Sequence, residues 1–246
     1  MKFIEEYFWV LSTFLVPVLF LIITLTFYLV YYSRKSNALK NSKIQPEYIA
    51  PAQVSRELIY SFTSLCIFAF SGYGVFLLYL NGYSVIYMDV SRFDIIYLPI
   101  SIFLLMLFHD MYFYWTHRLL HLPGLYQKIH TVHHLSINPS PFTSLSFHPF
   151  EAIIQAAVLP LMVLFIPAHP LAIFCFLIYM VYKNVRGHAG YEFTNYTYRQ
   201  TGWHRLKGYS IHHNLHHLKC RDNYGLYFTF WDRIMKTFKD EPDEHM

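Results

Sequence analysis

The sequence predicts an all-α integral membrane protein of about four transmembrane helices, with a histidine-rich helical cap on the cytosolic side. Three observations lead there. The 246-residue chain is 55% hydrophobic and 14% charged. The runs Phe8 to Tyr31 and Leu58 to Leu80 contain no Asp, Glu, Lys or Arg, and each exceeds the roughly 20 residues needed to cross a bilayer. Histidine is gathered in two short stretches, from His117 to His134 and from His212 to His217.

The first run is too long for a signal peptide, lacks a small-residue cleavage site and has Glu5 and Glu6 at its flank. It reads as a retained helix over about 8–31, followed by a second span over 58–80. A third span covers 95–114, "IIYLPISIFLLMLFHDMYFY", with His109 and Asp110 near its end. Residues 152–182 are apolar but interrupted by Pro160, Pro167 and Pro170, which predicts a hairpin of two short helices, spanning or re-entrant.

Orientation follows from the basic residues. Arg34, Lys35, Lys40 and Lys43 follow the first span, whereas the loop near 81–94 has only Arg92, so the positive-inside rule puts 32–55 in the cytosol. Counting spans onward brings 115–150 and 184–246 to that same face. Residues 1–246 thus read as one multi-pass membrane domain whose cap is formed by these two segments. Cys66, Cys175 and Cys220 have no paired spacing and suggest no disulfide framework. The net charge of +4 suits membrane topology better than nucleic-acid binding.

His117 and His121 are four residues apart, one face of a helix continuing from the third span. His130, His133 and His134 follow an i, i+3, i+4 pattern that predicts one helical face, and His213, His216 and His217 repeat it. With His188 these make nine candidate nitrogen donors. One tetrahedral zinc takes at most four protein ligands. Nine suit a pair of six-coordinate ions with open positions, although imidazole accepts iron, copper, nickel and zinc alike. Asp110, two turns before His117, is placed to orient a ligand imidazole. His109, His148, His204 and His212 are further ligands or supporting residues on this reading. His169, between prolines at the opposite face, reads as structural and His245 as tail.

The pattern HxxxH, HxxHH, HxxHH resembles the fatty acid hydroxylase/sterol desaturase superfamily. The stretches "WTHRLLHLPGLYQKIHTVHH", "NPSPFTSLSFHPFEAIIQ" and "HHNLHHLKCRDNYGLYFTFWDRIMKTF" look most like its sterol C5-desaturase (lathosterol oxidase) branch, over about 105 to 240. The resemblance implies a four-helix stalk and a non-haem di-iron centre that hydroxylates or desaturates a lipid with O2 and external electrons. Carried over by position, His117, His121, His130, His133, His134, His188, His213, His216 and His217 are the expected ligands. Some relatives carry histidine where this chain has Asn184, so one ligand is absent, replaced by water or supplied by His212.

The chain shows no flavin or haem-attachment motif, so electrons would come from an NAD(P)H-linked donor such as a cytochrome b5-like or ferredoxin-like protein. Arg199, Arg205, Lys207, Lys219 and Arg221 offer it a basic surface, or meet anionic lipid heads. A bacterial inner membrane and the endoplasmic reticulum fit equally, and oligomeric state is not legible. Two other classes compete. A metal transporter would carry ionisable residues along several spans, which the first two lack. A zinc-dependent membrane hydrolase would need fewer ligands and a general base of the HExxH kind, and none is present.

Overall fold

The computed structural model describes residues 14, 17–33, 42–192 and 194–240. The start of the first predicted span, residues 8–13 with 15 and 16, lies outside the described residues, as do Arg34, Lys35, Lys40 and His245. Helix α1 runs Pro17–Tyr32. Helix α2, Pro51–Leu80, begins with proline at its first turn, where the missing N–H costs nothing. Helix α3 is Tyr97–Leu120. A short helical run, α4, combines Pro123–Leu125, a π turn over Tyr126–His130, and Thr131–His134. The apolar hairpin comprises α5, Pro149–Phe165, and α6, Pro170–Gly187. Helix α7 is Ser210–Lys219 and α8 is Phe230–Ile234. Among the described residues there is no strand, only the isolated bridges Lys43–Tyr191 and Lys207–Phe228.

Among the described residues, two helices, α2 and α3, are long and apolar enough to cross a membrane. The described part of α1 is shorter, as is α5. Helix α2 turns a soluble helix inside out. Phe62 and Phe70 are 69% and 76% exposed, whereas Glu57, Ser61 and Ser64 are buried. Apolar side chains pointing outward on a long helix belong in lipid rather than water.

The buried polar face of α2 has a defined task. Glu57, with no exposed surface, accepts hydrogen bonds from Ser136 Oγ (2.7 Å), Thr143 Oγ1 (2.7 Å), Gln53 Nε2 (2.8 Å) and Ser140 Oγ. One carboxylate thereby pins the loop that follows α4 to the start of α2. Tyr32 adds a second tie, its hydroxyl lying 3.2 Å from the Pro139 carbonyl and 3.1 Å from that of Ala189.

These ties set which helix ends meet. The start of α2, the end of α3 and the end of α6 gather beside the histidines. The other ends are joined by Val85 N–H to Val163 O (2.9 Å) and Tyr87 N–H to Ala168 O (3.3 Å). His169 sits there, capping α6 through Leu171 N–H at 3.1 Å, a structural role.

Candidate metal centre

Helix periodicity alone would put each HxxHH triplet on one face, but the structure divides both. His117, His121, His130, His134 and His216 form a five-histidine group, and His133, His188, His213 and His217 form a four-histidine group. Within each group the donor nitrogens lie within 4.8 Å of one another. At 3.6 residues per turn, positions i and i+4 differ by about 40°, whereas i+3 and i+4 differ by about 100°. The i, i+4 pair of α4, His130 and His134, therefore serves the first group, and His133 serves the second. Helix α7 makes the reverse contribution: His213 and His217 to the second, His216 to the first. Each helix bridges both groups, whose rings abut at His134 and His217, 4.8 Å between centroids.

The nitrogens that converge are Nε2. His216 Nε2 is 3.1 Å from those of His121 and His134, and His213 Nε2 is 2.8 Å from that of His188. The outward nitrogens explain this orientation. His117 Nδ1 donates to Tyr224 O (2.9 Å), His216 Nδ1 to Asp222 O (2.6 Å), and His188 Nδ1 to Asn184 O (2.8 Å). A carbonyl oxygen only accepts, so these Nδ1 atoms carry the proton and each Nε2 presents a lone pair inward. Burial, reinforced by neighbouring imidazoles, holds His130, His133, His213, His216 and His217 well below the usual histidine value and His134 at about 3. Neutral, inward-facing imidazole is the form that ligates a metal ion.

The orienting carboxylate is not Asp110. That side chain accepts the backbone N–H groups of Tyr227 (2.8 Å) and Phe228 (3.2 Å), fastening α3 to the loop before α8. Glu151 takes the role instead: its Oε1 lies 2.8 Å from His130 Nδ1, both side chains 1% exposed. Its sequence signal was a carboxylate opening an apolar hairpin with no basic residue beside it.

The remaining candidates fall away from both groups. His109 packs against Phe113, Phe176 and Tyr227, its ring centroid 5.4 to 6.1 Å from theirs. His148 caps α5 through Phe150 N–H (3.3 Å), and His204 bonds to the Tyr198 hydroxyl (2.7 Å). His212 does not supply the absent ligand: its Nδ1 accepts Tyr209 N–H (3.3 Å) and its Nε2 is 3.2 Å from Asp240 Oδ1. Asn184 reaches neither group with its side chain, which donates through Nδ2 to Ser144 O at 2.7 Å. Arg199 is 1% exposed and 3.5 Å from Asp240, so it lies beneath the basic surface rather than on it.

Beside the four-histidine group opens an apolar cleft, bounded by α1, α2, α5 and α6 and partly open to the surroundings. Its lining side chains are apolar except that of Asn184.

The fatty acid hydroxylase family model matches residues 102–237, more than half of the chain. This chain belongs to the fatty acid hydroxylase family. It is 32% identical to mouse lathosterol oxidase over 218 residues, 88% of this chain and 69% of that enzyme. It is 33% identical to the human lathosterol oxidase over 55% of this chain, a match spanning 44% of the human protein. It is 34% identical to mouse cholesterol 25-hydroxylase over 56% of this chain and 46% of that enzyme. No solved structure matches it. With two helices among the described residues long and apolar enough to cross a bilayer, this member of the family is a membrane protein.

In this member of the family the "NYGLYFTFWD" stretch serves the five-histidine group through its backbone. Asp232 accepts Tyr224 N–H and Gly225 N–H, both at 2.9 Å, which holds the Tyr224 carbonyl on His117. A Cβ at Gly225 would stand 2.5 Å from Phe228 O and 2.9 Å from Asp232 Oδ2. Gly225→Ala is expected to cost about 1–3 kcal/mol through overpacking. A thermal melt of the purified variant in nanodiscs checks this; an unchanged midpoint would show that the turn yields freely.

Proposed function

We propose that this protein is a multi-pass, membrane-bound non-haem di-iron oxygenase that hydroxylates or desaturates a lipid of sterol or fatty-acyl type. The observation that carries the reading is the pair of adjacent buried groups, nine neutral imidazoles with their Nε2 atoms turned inward beside an apolar cleft. Nine nitrogens exceed what one zinc requires and suit two ions with positions left open. The five-histidine and four-histidine groups would each hold one iron.

Two reduced iron ions would supply dioxygen activation, which cleavage of an unactivated C–H bond needs and no side chain provides. The chain's own residues do the rest. Carbonyls of Tyr224, Asp222 and Asn184 and the Glu151 carboxylate fix the imidazole planes. Phe147, its ring 5.1 Å from that of His133, keeps the cleft side of the centre dry. The overall balance is one C–H bond, one O2, two electrons and two protons giving an alcohol and water. Desaturation instead removes two hydrogens and yields two waters.

The site faces the cytosol in this reading, because Lys43 of the basic loop after α1 lies beside Tyr191, on the same side as the helix ends that carry the nine histidines. Electrons come from an NAD(P)H-linked, cytochrome b5-like or ferredoxin-like donor. Arg205 and Arg221, exposed on the cap, with Lys207 and Lys219 beside them, offer its acidic surface a place to dock.

Mass spectrometry of total lipids from cells expressing wild type or His133→Ala, at matched protein levels, tests the reading. A lipid gaining one oxygen, or losing two hydrogens, only with the wild type is the expected result. An unchanged lipid profile together with wild-type protein purified free of iron would overturn it.

A further inference from the structure

Two kinds of aromatic ring meet the nine histidines, and they differ in how readily they give up an electron. On the cleft side the neighbour is Phe147, beside His133, and the rings lining the cleft are Phe20, Phe68 and Phe174. A phenyl ring resists one-electron oxidation. The five-histidine group instead abuts Tyr224, whose ring centroid lies 5.6, 5.1 and 5.3 Å from those of His117, His121 and His216. Phenol and indole are the aromatic side chains most easily oxidised.

The contact continues outward. Tyr224 stands 6.2 Å from Tyr114, centroid to centroid, and Tyr114 stands 5.4 Å from Trp115 and 6.1 Å from Trp231. The two indoles are 5.8 Å apart. Every step lies within the range of rings in contact. Tyr114 is fully buried, whereas Trp115 is 43% exposed, near the cap end of α3 where indole suits a membrane–water interface. Packing would be served as well by phenylalanine, of which the chain has 23 against 22 tyrosines and 4 tryptophans. Yet no phenylalanine interrupts this row, and two of the four tryptophans end it.

Tyr114 also has a place to leave its proton. Thr237 Oγ1 donates to Asp232 Oδ1 (2.8 Å), an atom that only accepts, so Thr237 receives the Tyr114 hydroxyl at 3.0 Å. Arg118 Nη1 donates to the same phenol oxygen at 3.2 Å. Burial raises the Asp232 carboxyl above its ordinary value, which favours taking up a proton. When Tyr114 loses an electron, its proton passes to Thr237 and that of Thr237 passes to Asp232. Return of an electron reverses both transfers.

We propose that Tyr224, Tyr114 and Trp115 form an electron path that carries oxidising equivalents out of the metal centre when no lipid is in place to receive them. Trp231 is a parallel ring at its outer end. A cytosolic thiol restores the electron at Trp115, and the ligand imidazoles are spared. Reduction of O2 to two waters takes four electrons and four protons. Two electrons come from the NAD(P)H-linked donor and two pass along the path from a pair of thiols, which become a disulfide. Those thiols release two of the protons and solvent supplies the others. Coupled turnover draws nothing from the path, because the C–H bond then provides the two electrons. For the source of its oxidising equivalents the path rests on the oxygenase reading.

Flash oxidation of the metal-free full chain in nanodiscs tests the path without the centre. A photo-oxidised ruthenium bipyridine complex takes an electron from exposed indole, and transient absorption follows the radical. In the wild type a tryptophanyl radical is expected to convert to a tyrosyl radical. Tyr114→Phe is expected to abolish that conversion and Trp115→Phe to lower its yield, with thermal melts showing both variants folded. Conversion unchanged in Tyr114→Phe would overturn the proposal. The iron-loaded chain is then given hydrogen peroxide with and without glutathione, and oxidised residues are mapped by peptide mass spectrometry. Wild type is expected to carry oxygen adducts on Trp115 and Trp231 that glutathione suppresses, and Tyr114→Phe to carry them on the ligand histidines despite glutathione. Equal histidine oxidation in the two proteins would also overturn it. A conducting path in a chain that purifies free of iron would leave the path standing and count against the oxygenase reading alone.

Discussion

Replacing His216 with alanine is expected to empty the five-histidine group while the four-histidine group keeps its ion, and His213→Ala is expected to do the reverse. The two residues are three positions apart on α7, both buried, and serve opposite groups. General damage to the helix would affect both groups alike, so the contrast isolates ligation. Iron should fall from two per chain toward one in each single variant and toward none in the double variant. Lipid turnover should drop by more than about 100-fold in each, since even an outer-shell partner of a ligand is worth 10–100-fold. Metal analysis of the purified proteins beside the lipid assay reads both quantities. Two ions retained in either variant would remove that histidine from the ligand set.

Glu57→Ala should be the most destabilising single change outside the histidines. The substitution strands three buried hydroxyls, those of Ser136, Ser140 and Thr143, whose common acceptor is one carboxylate. Each unmet partner costs about 1–3 kcal/mol, so a loss of about 3 kcal/mol or more is expected. Glu57→Gln keeps one acceptor oxygen and should lose roughly half as much. The damage should also travel, because the released loop directly follows His133 and His134. Thermal melts and iron affinity of the two variants in nanodiscs are the measurements. An alanine variant as stable as wild type would mean that water replaces the carboxylate and that the loop is held by Tyr32 and its own turns.

The family's chemistry was legible because it is written in residue type and spacing. An uncharged run pointed to α2 and an apolar run ending in His109 and Asp110 to α3, and imidazoles at four-residue spacing supplied candidate donors at the end of α3 and beyond it. The described structure brings together all nine histidines picked out by spacing and family pattern, and rejects the looser candidates. His148 begins a helix, His204 bonds to Tyr198, His212 faces Asp240, and Asp110 bonds to backbone N–H groups, whereas His169 caps α6, the structural role read for it.

What sequence could not give has one physical origin. Spacing fixes the angle of a side chain about its own helix axis, but not which neighbour approaches from that angle. Hence the triplets were read as single faces, whereas α4 and α7 each divide theirs between two groups. Tautomer was equally hidden. Tyr224, Asp222 and Asn184 set it through main-chain carbonyls, a group that every residue carries and no sequence marks. Nothing in the sequence around Glu57 marks it as the acceptor for Ser136, Ser140 and Thr143, which lie some eighty residues away. By itself, the sequence determined which atoms are offered to the centre; the tertiary structure alone decided how they are shared, which way each ring faces and where the cleft meets them, because those depend on contacts between segments far apart in the chain.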